Sequence, residues 1–276
     1  MLIFCRAFLD NMIYLFDGSF EGLLTCVFTA FENKESPSDI LDNRKSEQLS
    51  FADEHIYVPT EFGKSTRVFE GIKSKSRTIL FKLYSAFMAD SVQGKDLLVF
   101  NYICLLFKFG TKIEGMTQDS NVIGVDKLEY KVNWQTGKLA GFLRFEELEG
   151  NILYAKVNPT DNILAKLAAH FADRFTNQNF IIFDEIRNLY AVYNTREWMI
   201  TDLTPSELPA RSEGEEAYQL MWREFLDAVT IKERENLKLQ RQLMPKKYWR
   251  NMAEMNRVKN PLLETEEKSS ERLLDK

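Results

Sequence analysis

The stretch GFLRFEELEGNILYAKVNPTDNILAKLAAHFADRFTNQNFIIFDEIRNLYAVYN, residues 141–194, decides the fold expected of this chain. Residues 141–159 alternate apolar and polar side chains around a Glu-Gly-Asn turn, which predicts a β-hairpin of 141–147 with 152–157, ended by Pro159. Residues 161–175 then place Ile163, Leu164, Leu167, Ala168, Phe171 and Phe175 on one stripe at helical spacing, with Thr160 or Asp161 as cap. Three short β-rich runs follow, at 179–184, 189–194 and 197–201. The expected fold class is α+β, with helical N- and C-terminal parts around a small antiparallel sheet made of hairpin, helix and three-strand meander.

Working outward, residues 12–138 read as a mainly helical part. SFEGLLTCVFTAFE, 19–32, aligns Leu23, Leu24, Val27, Phe28 and Phe31 behind a Ser19 N-cap. The polar residues 33–55 read as a surface connection. Helices are expected at 61–73, 76–88, 95–109 and 119–133. The sheet occupies 139–203 and C-terminal helices 204–258. These open on a capping box at Ser212 and Glu215 and include a helix started by Pro245. The tail 259–276 has little aromatic or β-branched content and reads as disordered.

Composition narrows the function classes. A chain of 276 residues with 45% hydrophobic and 28% charged residues buries a real core. Its net charge of −5 gives no global pull towards nucleic acid or an anionic membrane, so local patches must carry any such case. Cys5, Cys26 and Cys104 are odd in number and far apart, which argues for a reducing compartment. With two histidines and no paired cysteine motif, neither a metal nor a cofactor is expected. No apolar run approaches the ~20 residues of a membrane span. The N-terminus lacks a secretory pattern, so a cytoplasmic protein without a membrane partner is expected. Nothing in the sequence sets the oligomeric state.

Several residues could carry chemistry. On the helix 161–175, Lys166, His170, Asp173 and Arg174 fall opposite the buried stripe. That face suits a phosphate grip or a proton-transfer group; it is also what an ordinary solvated face looks like. Arg144 lies mid-strand between aromatics, where it would stack on a base, clamp a phosphate or make a cross-strand ion pair. Asp184 ends an apolar strand with Arg187 in the next turn, which fits either a site or an Asx turn. Two stretches are basic. Lys64, Arg67, Lys73, Lys75, Arg77 and Lys82 face one acid over 64–82, and nine cations face three acids over 230–259. Lys246, Lys247, Tyr248 and Trp249 lie within the second, a combination suited to phosphates and splayed bases, or to a soluble helix face.

The blocks YLFDGSFEGLLTCVFTAFE, GFLRFEEL, LYAKVNPTDNILAKLAAHFADRF, FIIFDEIRNLYAVYN and EEAYQLMWREFLDAVTIKERENLKLQRQLMPKKYW occur in that order. Together, over residues 12–255, they resemble an uncharacterised bacterial family associated with DNA metabolism or DNA repair. Its members accompany a radical S-adenosylmethionine protein, and a related domain is found fused to uracil-DNA glycosylase-like domains. The resemblance implies DNA and a radical S-adenosylmethionine protein as partners. Relatives begin at a methionine like Met12, so residues 1–11 read as an extension. They also tend to carry a His-Arg pair where this chain has Gly137-Lys138. That departure directs attention to His170, Arg144, Asp184 and Arg187. The residues expected to do any acid–base chemistry are His170, Asp173 and Asp184, and those expected to contact nucleic acid are Arg144, Arg174, Arg187, Lys246, Lys247 and Trp249.

The expected function is DNA binding in DNA metabolism or repair, by the chain itself or as accessory to the radical enzyme. The alternative is a small-molecule enzyme with a pocket between sheet and helices. Convergence of His170, Arg144 and Asp184 in one cleft would favour chemistry; their separation would favour a binding role.

Overall fold

A computed structural model describes residues 12–44, 54–203 and 208–255. The extension 1–11 and the tail from 259 lie outside the described residues. The chain forms two compact units, one from residues up to Gln135 with Thr160–Asn162, the other from Thr136–Pro159 and Ile163 onward.

The first unit holds a parallel sheet where a helical part was expected. β1 (Met12–Phe16) is flanked by β2 (Asp39–Asp42) and β3 (Glu54–Tyr57), in the order β2-β1-β3. All five β1 residues are buried. The central strand of a parallel sheet is covered on both faces, so it reads as an unbroken apolar run with no alternation to betray it. β2 and β3 are four residues each; β2 lies within the polar segment taken for a connection and β3 begins at its end.

The helices of this unit follow their local signals. In α1 (Phe20–Asn33) the Ser19 hydroxyl accepts from Gly22 N at 2.9 Å, and Lys34 closes the helix in the left-handed region. α2 (Phe62–Lys75) and α3 (Arg77–Phe87) share Ser76, whose hydroxyl accepts from Ile79 N. α4 (Lys95–Phe109) buries Val99, Phe100, Ile103 and Leu106. α5 (Ser120–Phe142) continues past the expected end at 133, and its last turns belong to the second unit. Asp161, expected as a helix cap, is instead fully buried in the first unit. Its Oδ1 accepts from Ser91 N at 3.0 Å, and its own N–H donates to Gln135 Oε1 at 3.0 Å.

Gly22 sits where α1 leaves the sheet. Asp17 accepts from Ser19 N at 2.9 Å and from Thr60 Oγ1 at 2.7 Å, and a Cβ on residue 22 would lie 2.3 Å from Asp17 Oδ1 and 2.9 Å from Thr60 Oγ1. Gly22→Ala is therefore expected to destabilise the protein by about 1–3 kcal/mol, through displacement of that carboxylate. Thermal unfolding followed by circular dichroism checks it; an unchanged midpoint would show that the loop yields freely.

The second unit corrects the expected antiparallel sheet. β4 (Glu146–Leu148), β5 (Ile152–Val157), β6 (Asn179–Asp184), β7 (Leu189–Tyr193) and β8 (Trp198–Thr201) form one five-stranded mixed sheet in sequence order. The β5–β6 pair is parallel, from Ile152↔Asn179 to Val157↔Asp184, and the other pairs are antiparallel. The reason is α6 (Leu164–Arg174), which serves as a crossover and returns the chain to the starting edge of β5. Hairpin and meander thus become one surface. The hairpin turn itself is as expected, with Gly150 and Asn151 both at positive φ. Its first strand is shorter than expected because α5 runs to Phe142.

α6 buries Leu164, Leu167, Ala168 and Phe171, and Phe145 meets Phe171, Phe175 and Phe180 edge-on. α7 (Glu215–Val229) and α8 (Leu237–Leu243) follow, and Pro245 opens a 3-10 turn, Lys246–Asn251, where a helix was expected. Ser212 and Glu215 do not form a capping box. Glu215 Oε2 accepts from Glu147 N at 2.8 Å, which ties the start of α7 to the edge strand β4. Among the described residues no helix is long and apolar enough to cross a membrane, and no group of three or more His, Cys, Asp and Glu is placed to hold a metal.

Candidate functional site

The residues singled out for chemistry do not converge. His170, Asp173 and Arg174 are exposed on α6. The His170 ring lies edge-on to Phe171 at 5.0 Å, and no hydrogen bond joins it to Asp173. Asp184 is fully buried at the end of β6. Its Oδ1 accepts from Ile186 N at 3.0 Å and Arg187 N at 3.3 Å, and its Oδ2 meets Arg187 Nη1 at 3.1 Å. Arg187 also donates to Pro159 O at 3.2 Å. Burial pushes the Asp184 carboxyl above its ordinary range, and the Arg187 charge and the two N–H donors offset only part of that. Asp184 and Arg187 thus form a turn clamp that joins the ends of β5 and β6.

Burial also pushes the Cys26 and Cys104 thiols up to about 12, which leaves neither as a ready nucleophile. The first basic stretch is largely neutralised within its own unit. Lys64 pairs with Glu32 and Glu61, Lys73 with Glu70 and Lys82 with Asp126, while Arg67 and Lys75 lie over the rings of Phe28 and Phe107. In the second stretch, Lys246 and Lys247 are exposed and lie over Trp249 and Tyr248, and the Trp249 indole donates to Met244 O at 2.9 Å.

A cleft of ≈ 1040 Å³ opens in the second unit between the β4–β5 edge of the sheet, α7 and the 3-10 turn. The sheet contributes Glu146, Glu147, Leu153, Tyr154 and Lys156, and α7 contributes Tyr218, Gln219, Met221, Trp222, Arg223 and Phe225. Arg144, Arg211 and Arg250 complete the basic lining. Of the predicted site residues, only Arg144 lines this cleft.

The cleft's cations fall into two groups. Arg144 holds Glu254 through Nε at 3.0 Å and Nη2 at 2.6 Å, Arg211 holds Glu146 at 2.5 Å, and Arg250 approaches Glu185 at 3.5 Å. Lys156 and Arg223 have no acidic partner among the described residues. Lys156 lies 5.7 Å from the centre of the Tyr154 ring, and Arg223 Nε donates to Gln219 O at 3.1 Å, which leaves the terminal guanidinium nitrogens available.

The apolar wall of the cleft comes from α7. Tyr218, Met221, Trp222 and Phe225 recur at i, i+3, i+4 and i+7, the spacing of one helix face, yet all four are exposed. Trp222 and Phe225 stack on each other with ring centres 5.8 Å apart and planes at 25°. The sequence signal for this wall is the spacing of aromatics in YQLMWREF, 218–225, which by pattern alone looks like a core-facing stripe. Chemically, the cleft offers two cations, unpaired among the described residues, beside exposed aromatic faces. Two of its three carboxylates have other work: Glu146 holds Arg211, and Glu215 accepts from Glu147 N and Gln219 Nε2. The arrangement suits binding of an anionic, flat-ringed ligand.

Residues 93–254 match a family described as a domain of unknown function, DUF4130, and the match takes in the whole cleft. No curated protein matches the chain.

Proposed function

The chain belongs to the DUF4130 family, and from that premise and the geometry of its own cleft we propose that it is a DNA-binding protein of DNA metabolism or repair, working as an accessory to a radical S-adenosylmethionine enzyme. The observation that carries the reading is the pair of cations without an acidic partner among the described residues, Lys156 and Arg223, in the same cleft as exposed Tyr218, Trp222 and Phe225. Cations without acidic neighbours release counterions when they meet phosphates, and exposed rings offer faces to bases. The sequence resemblance described above supplies the DNA context and the radical enzyme.

An accessory role fits better than turnover by this chain, because His170, Asp173 and Asp184 do not line the cleft. A small-molecule enzyme is the weaker reading, since two of the cleft's three carboxylates, Glu146 and Glu215, are held by Arg211, Glu147 N and Gln219. The test is binding of labelled DNA by the purified chain, alone and with the radical enzyme, across a salt series. Each phosphate neutralised adds about −0.7 to −0.9 to the slope of log affinity against log salt, so two contacts give a slope of about −1.4 to −1.8. Failure to bind single-stranded or duplex DNA at low salt, with or without the enzyme, sinks the reading.

A further inference from the structure

We propose that the cleft of the second unit takes an unpaired strand of DNA, with a base stacked on the Trp222–Phe225 pair, and discriminates against duplex. This inference rests on the DNA-binding reading and adds the form of the ligand. Trp222 is 41% and Phe225 54% exposed, although the two rings already lie face to face. Rings arranged this way and left open offer a further π-face to a flat ligand.

A duplex keeps its base faces buried in its own stack, and only its edges and phosphates reach a protein surface. To meet a ring on α7 it would have to extrude a base, at a cost of a few kcal/mol. A single strand has its bases already available, and base–aromatic stacking tolerates any sequence because every base has a π-face. The cations stand on both walls, Lys156 on β5 and Arg223 on α7, next to Trp222 in the chain. A strand running along the cleft would lay phosphates against these two groups while its bases turn to the aromatic side. The charge complementarity selects a polyanion over an apolar peptide as the occupant of the α7 face.

The experiment uses the full chain, a labelled oligothymidine and a hairpin duplex of the same length, with affinity read by fluorescence anisotropy. The single strand is expected to bind about tenfold tighter than the duplex. Trp222→Ala should cut single-strand affinity about tenfold and leave the salt slope unchanged, because stacking involves no counterion, while Trp222→Phe should restore most of the loss. Trp222 is surface-exposed, so its replacement should leave the melting curve in place, which the same samples verify. Equal or tighter binding of duplex, with Trp222→Ala neutral, overturns this inference while DNA binding itself still stands. Absence of binding to either DNA overturns both. Self-association in sedimentation that Trp222→Ala abolishes, with no effect on strand affinity, also overturns it, by showing the face covered by a second copy.

Discussion

The double substitution Lys156→Glu with Arg223→Glu is expected to lower DNA affinity by roughly 10- to 100-fold at low salt and to make the salt dependence shallower by about 1.4 to 1.8 in slope. These two are the cleft cations without an acidic partner among the described residues, so their charge is available to phosphates. The other cleft cations already spend theirs on Glu254, Glu146 and Glu185. Neither site is in the core, so stability should shift by no more than about 0.5 kcal/mol per site. Arg174→Glu is the informative comparison. Arg174 is exposed on α6, outside the cleft lining, and its reversal alters the net charge of the same unit. A loss from Arg174→Glu as large as from the double variant would mean that overall charge, not the cleft, governs binding.

The second large effect concerns folding. Asp184→Ala is expected to destabilise the protein by about 3–5 kcal/mol, because it removes a fully buried carboxylate from its ion pair with Arg187, whose side chain is only 15% exposed. It also removes the acceptor for Ile186 N and Arg187 N. The midpoint of thermal unfolding should fall by roughly 10 °C. The pH dependence gives a second readout. The Asp184 pKa is raised by burial against the pull of Arg187, so the folded chain holds this proton more tightly than the unfolded chain does. The wild type therefore loses some stability as pH rises from the ordinary carboxylate range through the raised value. The Ala variant should lack that component. An Asp184→Ala melt that overlays the wild type would show that Arg187 finds other partners and that the clamp is dispensable.

Both predictions concern residues whose roles were unequally visible beforehand. Asp184 with Arg187 at a strand end already admitted the turn reading, because an Asx turn is made within four residues. Lys156 and Arg223 carried no such signal. Each is an ordinary cation in its own element, and its interest lies in what it fails to pair with. His170 shows the reverse. Its helical spacing correctly puts it on the exposed face of α6, yet nothing local could reveal that no hydrogen bond joins it to Asp173 and that it does not line the cleft.

What the sequence determined by itself was set within a turn or two of chain. Ser19 caps α1, the apolar stripe of α6 faces inward, and Gly150 and Asn151 turn the chain between β4 and β5. Only the tertiary structure decided which strands pair and which surfaces stay open. β1 meets partners at 39–42 and 54–57, β5 runs parallel to β6 after a crossover, and α7 is tied to β4 by Glu215 with its aromatic face uncovered. The physical reason is range. Capping and periodicity depend on neighbours along the chain, whereas strand partners and ion pairs between distant residues depend on which segments the whole fold brings together.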